Sequence, residues 1–185
     1  MRWEALFSDL EAQAAALDQA EVAAEVAERA RAELTGLALV DRARGALGSA
    51  VHLRYPHGVT VSGRLARVGP DWLLLDELDR AETLAAAVPL LGVRGLGRYA
   101  AVPASTGVIE SRTRLHMLLR AIARDRSAVR IYLVDGSVLD ATIDRVGGDF
   151  VEVAMHATAE PRRRDAVRDV EVVPISAIAV VRRSG

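Results

Sequence analysis

The chain has 185 residues, 51% of them hydrophobic and 26% charged, with a formal net charge of −1. Near neutrality excludes long-range attraction to nucleic acid, so any such binding needs a local patch. Cysteine is absent, which excludes a disulfide framework and thiolate chemistry. Lysine and asparagine are absent too, so every basic side chain is Arg. Their codons are AT-rich, whereas those of the abundant Ala, Arg, Gly and Val are GC-rich, as in a high-GC bacterial genome. The opening MRWEALFSDLE carries acids where a signal peptide carries a basic start and an apolar run. The longest apolar run, Leu84 to Val93, contains Pro89 and is about half of the ~20 residues a membrane span needs. These features set the expectation of a cytoplasmic protein without a membrane partner.

From Trp3 to Leu34 the pattern is helical. Trp3, Leu6, Phe7, Leu10, Ala14 and Leu17 recur at three- and four-residue spacing, and alanine fills most of the rest. Large apolar residues thin out beyond Leu17, too early for a long self-sufficient coiled coil. The segment reads as an arm that packs on the body or pairs with another copy. A short helix follows at Leu37 to Leu47, closed by Gly48. Strands are then expected at Val51–Tyr55, Val59–Leu65 and Trp72–Leu75, where apolar and polar residues alternate. Further strands are expected from Ala86 to Leu91. Gly92 to Gly107 reads as a linker, followed by a helix from about Ser111 to Arg124.

The stretch SAVRIYLVDGSVLDATIDRVGGDFVEV, Ser127 to Val153, repeats SAVHLRYPHGVTVSGRLARVGPDWLLL, Ser49 to Leu75, at a spacing of 78 residues. The helices obey the same spacing (Leu37 with Leu115, Val40 with Leu118), so the repeated unit is a helix plus a β unit. Turn chemistry recurs as well: His57-Gly58 and Asp135-Gly136 each place glycine where positive φ is needed. Farther on, Val88-Pro89-Leu90 matches Val173-Pro174-Ile175 at a spacing of 85, which implies a loop seven residues longer in the second unit. The implied division is an N-terminal helix at 1–35, a first unit at 36–98, a linker at 99–110 and a second unit at 111–185.

Three stretches of the second unit resemble the Sm fold, and its bacterial Hfq branch in particular. They are Ile131-Tyr132-Leu133-Val134-Asp135-Gly136, then Leu139 to Ile143 leading into Asp149-Phe150-Val151-Glu152-Val153, and finally Ala177-Ile178-Ala179-Val180-Val181. The resemblance implies an α+β chain: a helical arm followed by two Sm-like or SH3-like five-stranded β-barrels, each introduced by a short helix. A barrel so small needs a sharply bent second strand, and the family places Gly there. Gly63 holds that position in the first unit and Ala141 in the second. The resemblance further implies exposed edges on strands four and five, satisfied within the chain or between chains. A homo-oligomer through those edges or the N-terminal helix is the corresponding expectation.

Binding of RNA is the function the family implies, through a Tyr-Lys-His stretch between strands four and five. This chain instead has Pro89-Leu90-Leu91 and Pro174-Ile175-Ser176 there, without stacking aromatics or cationic donors. The remaining candidates for nucleic-acid or partner contact are Arg162, Arg163 and Arg164, with Arg182 and Arg183 able to extend a patch if they share its face. Glu160, Asp165, Asp169 and Glu171 would neutralise the first cluster if it is only a solvated loop. His52, His57, His116 and His156 lack metal-ligand spacing. Asp71 and Asp149 recur at one repeat position, where turn formation accounts for both. Ser49 and Ser127 recur without a His or acid at repeat spacing. The sequence therefore points to a binding protein with no catalytic residue, cofactor or metal. Its ligand is RNA in a regulatory role, or a protein partner in a scaffolding role.

Overall fold

The computed structural model describes residues 2–77, 82–97, 112–155 and 169–183. The chain divides into two units, Met1–Ala38 and Leu39–Gly185. The first contains one helix, α1 (Arg2–Thr35, 34 residues). Its Ala-rich composition favours helix, and ion pairing at i,i+4 adds support, with Arg29 Nη2 2.7 Å from Glu25 Oε1. Trp3, Phe7, Leu10 and Leu17 are all exposed. Among the described residues no helix is long and apolar enough to cross a membrane.

The second unit opens with α2 (Leu39–Arg44) and continues through β1 (Ala50–Arg54), β2 (Thr60–Val68), β3 (Trp72–Asp76), β4 (Glu82–Ala86) and β5 (Gly92–Arg94). After α3 (Leu115–Asp125) come β6 (Ala128–Leu133), β7 (Val138–Val146), β8 (Phe150–Met155), β9 (Asp169–Pro174) and β10 (Ile178–Arg183). Two expectations shift. The segment around Val88-Pro89 is a turn, and Gly92–Arg94, read as linker, is a strand paired with β1.

The expected pair of five-stranded barrels is not what forms. Among the described residues, ten strands make one open antiparallel sheet, in the order β5-β1-β2-β3-β4-β10-β6-β7-β8-β9. The reason is the edge of β4. Rather than leave its backbone groups unpaired, the chain sets β10 against it, with Val180 opposite Ala85, Val181 opposite Leu84 and Arg182 opposite Thr83. The two halves thus share one ladder instead of each closing on itself.

Duplication is nonetheless visible in the sheet, because both halves run last-first-second-third-fourth strand across it. Leu53 faces Val93 as Ile131 faces Val181, and Leu73 faces Ala85 as Val151 faces Val173. The first three strands keep the 78-residue spacing. The last two are 88 apart, not 85, since Ala85 corresponds to Val173 and Val93 to Val181. Two backbone bonds agree: Ala87 N–H donates to Asp71 O at 2.9 Å, and Ile175 N–H donates to Asp149 O at 2.7 Å. The proline-matched spacing of 85 differs from this register by three residues.

The bend in the second strand also repeats. Both β2 and β7 are nine residues long, and each carries a register shift at the same place, between Leu65 and Arg67 and between Ile143 and Arg145. A bulge bends and twists a strand without requiring glycine. Gly63 lies before the bulge and serves close approach: a Cβ there would sit 2.7 Å from the Asp76 carbonyl oxygen. Its counterpart Ala141 is fully buried.

Two apolar cores result, and each borrows from the other half. The first joins Leu53, Leu65 and Leu75 with Ala179 and Val180 of β10. The second joins Ile131, Ile143 and Leu119 with Trp72, Leu84 and Ala86 of β3 and β4. Along β4, alternation sends Leu84 and Ala86 to one core and Ala85 to the other. Helix α3 covers the second core with Leu115 and Leu119. Because the cores interlock, Leu53→Asp, an uncompensated charge at a position 0% exposed, is expected to cost about 4 kcal/mol or more. It should unfold both halves together. Amide exchange that leaves β6–β8 protected while β1–β3 exchange freely would show the halves to be independent.

Candidate functional site

Arg162, Arg163 and Arg164 lie outside the described residues, as do His156 and the linker at 99–110. Arg182 and Arg183 are both in β10, where alternation sends them to opposite faces of the sheet. The Nε of Arg182 lies 3.0 Å from Glu77 Oε1, and its Nη1 donates to the Tyr132 hydroxyl at 3.0 Å. Its guanidinium carbon is 5.1 Å from the centre of the Tyr132 ring, within cation–π range. The pair is largely shielded, the two side chains being 28% and 17% exposed. Arg183 instead donates to Asp125 of α3 at 2.9 Å. These two arginines are therefore committed to carboxylates and do not form a shared cationic face.

A polar stripe runs beside Arg182 across the middle of the sheet. Arg130 binds Asp140 with two hydrogen bonds, Nε to Oδ1 at 2.8 Å and Nη2 to Oδ2 at 3.2 Å. The bonded Asp140 carboxylate holds the Arg130 guanidinium above its ordinary pKa. Arg130 and Arg182 face each other on β6 and β10. Two cations and two carboxylates, Asp140 and Glu77, balance locally. Such a stripe fixes strand register and offers no net attraction for phosphate. Sequence reading did not identify Glu77, Tyr132, Arg130 or Asp140. Only Asp140, ten residues from Arg130 across a hairpin, had a local signal.

Two clefts lie beside α3, which packs on β7. One, of about 260 Å³, is bounded by Trp72, Leu84, Leu118, Ile122 and Arg183. The other, of about 340 Å³, brings Val88 and Pro89 of the first half against Pro174, Ile175 and Ser176 of the second. The segments that stand where the resemblance implied a uridine pocket thus meet in one cleft, with His116 beside them. Its walls are mainly apolar, and Val88 is 80% exposed. Asp71, expected as a turn former, does more: its Oδ1 accepts a hydrogen bond from Leu115 N–H at 2.9 Å and so caps α3. Trp72 Nε1 donates to Thr113 O at 2.7 Å alongside.

At the tip of β6 the Asp135 turn is built as expected. Gly136 has φ of 88°, and Asp135 Oδ1 accepts from the Ser137 hydroxyl at 2.6 Å and the Ser137 N–H at 2.9 Å. His57 of the first half, itself at φ 53°, packs against Gly136. Among the described residues no group of three or more His, Asp or Glu side chains could hold a metal ion. Burial of Tyr55, whose hydroxyl donates to Ala86 O at 2.8 Å, pushes its pKa well up. It serves as a core hydrogen-bond donor rather than an acid. Comparison of the chain with protein-family models, with curated proteins and with solved structures finds no match.

Two outcomes follow from these local geometries. Asp71→Ala removes the α3 cap and is expected to lower stability by about 1 kcal/mol, read from the denaturation midpoint. An unchanged midpoint would mean the cap contributes nothing. The bonds from the Ser137 hydroxyl and then its N–H hold the Asp135 carboxyl below its ordinary pKa of 3.8. A depressed folded pKa stabilises the fold above the ordinary value, and that contribution is lost as pH falls through the folded value. Ser137→Ala should therefore raise the Asp135 pKa in a carboxyl-carbon NMR titration. No movement would exclude the hydroxyl as the cause.

Proposed function

We propose that this protein is a non-catalytic interaction module, built from a duplicated Sm-like unit, that binds protein partners and assembles through the ends of its sheet. The observation that carries this reading is the outer strand β9, last in the sheet order among the described residues, where Val172 is 60% exposed. An exposed apolar side chain on an end strand suits contact with a partner segment. The mainly apolar clefts beside α3 support the same reading. So does the commitment of Arg182 and Arg183 to Glu77, Tyr132 and Asp125, which takes them out of a phosphate-binding surface. Strand order common to both halves supports the internal duplication.

Ultraviolet crosslinking combined with affinity capture from the native host separates this reading from RNA binding. A stoichiometric protein partner, with crosslinked RNA no higher than in a mock sample, is the expected result. Enriched RNA that is lost on replacing Arg162, Arg163 and Arg164 with Ala would overturn it in favour of a nucleic-acid function.

A further inference from the structure

We propose that the face of β5-β1-β2 turned away from the first core binds an acidic segment of a protein partner, with Arg94 and Arg54 taking its carboxylates. This rests on the interaction-module reading and names the chemistry of the partner. Leu53, Val61 and Val93 pack on the first core, so alternation turns His52, Arg54, Thr60, Ser62, Gly92 and Arg94 to the opposite face. Across these strands Arg94 stands opposite His52, and His52 opposite Ser62. In the second half Arg182 stands opposite Arg130, and Arg130 opposite Asp140. The 78- and 88-residue correspondences make these the same row, pairing Arg94 with Arg182, His52 with Arg130 and Ser62 with Asp140.

The second half neutralises this row itself. Asp140 accepts two hydrogen bonds from Arg130, and Glu77 crosses the seam to Arg182. In the first half the place of Asp140 is taken by Ser62, whose hydroxyl oxygen lies 2.7 Å from His52 Nδ1. Among the described residues no carboxylate pairs with Arg94 or Arg54, and both are exposed. Arg54 adds a cation where the second half has Tyr132. Its Nη2 lies 3.6 Å from where a Cβ on Gly92 would sit, so it reaches over β5, the strand that carries Arg94. Farther along this face Arg64 donates to the Gly48 carbonyl at 2.8 Å, with Asp76 opposite it on β3 and Glu82 opposite Asp76 on β4. Strand β3 is three strands from β5, about 14 Å away, too far for its carboxylate to reach Arg94. Guanidinium groups take carboxylates in paired hydrogen bonds, as Arg130 takes Asp140 at 2.8 and 3.2 Å. An acidic segment would supply from outside what Asp140 and Glu77 supply within. On this face β5, β1 and β2 carry no Phe, Tyr or Trp on which a base could stack, which favours carboxylates over single-stranded RNA.

Fluorescence anisotropy of labelled poly-glutamate with the full chain at low ionic strength tests this. The unmodified protein should bind the probe. Ser62→Asp, which writes the acid of the second half into the first, should weaken binding at least about tenfold, and so should Arg94→Glu. Ser62→Asn, without the added charge, should bind as before. Arg145→Ala, which removes one positive charge from β7, should also leave binding unchanged. Circular dichroism of each variant confirms that its fold is kept. Absence of binding, binding that ignores both Ser62→Asp and Arg94→Glu, or equal loss in all four variants would overturn the proposal. Tighter binding of labelled poly-uridine that Ser62→Asp abolishes would overturn it too, making the face a nucleic-acid site. A partner captured from the native host that Ser62→Asp still retains would sink this assignment while leaving the interaction-module reading intact.

Discussion

Everything in the body of this protein depends on the pairing of β4 with β10. A β4 edge left open would expose a row of backbone donors and acceptors beside Leu84 and Ala86. Pairing it with β10 satisfies those groups and buries Leu84 and Ala86 under the second core. The same strand of the second half carries Ala179 and Val180 into the first core. A register shift between Ile178 and Val180 lets these neighbouring residues serve one core while Val181 serves the other. Backbone pairing and side-chain burial therefore act on the same two strands, which explains why neither half closes by itself.

The seam also decides what the polar residues can do. Arg182 would be a surface cation on an isolated second half. At the seam it lies between Tyr132 and Glu77, and Glu77 belongs to the first half. Asp71 similarly crosses from the first half to cap a helix of the second. Groups that look available for a ligand in a linear reading are engaged in holding the halves together. Among the described residues of the body, exposed apolar side chains include Val172 on the end strand β9 and Val88 in a cleft beside α3, and these motivate the interaction-module reading.

Local features were legible in the sequence because local physics produces them. Glycine at a positive-φ turn, alternation along β1 and β6, and the amphipathic spacing of α3 each need only a few neighbouring residues. The repeat was legible for the same reason, since identical patterns fold alike. Register beyond the variable loop was not. Val88-Pro89-Leu90 and Val173-Pro174-Ile175 match as letters, yet the ladder aligns Ala85 with Val173. Short apolar runs fit several registers equally well, and only pairing with β3 and β8 chooses among them. Of the candidate site residues, Arg182 and Arg183 were visible as charges, but the acids that hold them lie 105 and 58 residues away.

By itself the sequence determined the first three strands of each half, the turn residues, the helices among the described residues and the absence of cysteine chemistry, all set by composition or by neighbours in the chain. Only the tertiary structure decided that the two halves form one open sheet rather than two barrels. It also decided that Arg182 and Arg183 face opposite sides and that β5 and β9 are the strands left at the ends. These outcomes turn on which edges meet across long stretches of chain. That choice comes from the combined gain of paired backbone and shared burial at the seam, which no local window of sequence contains.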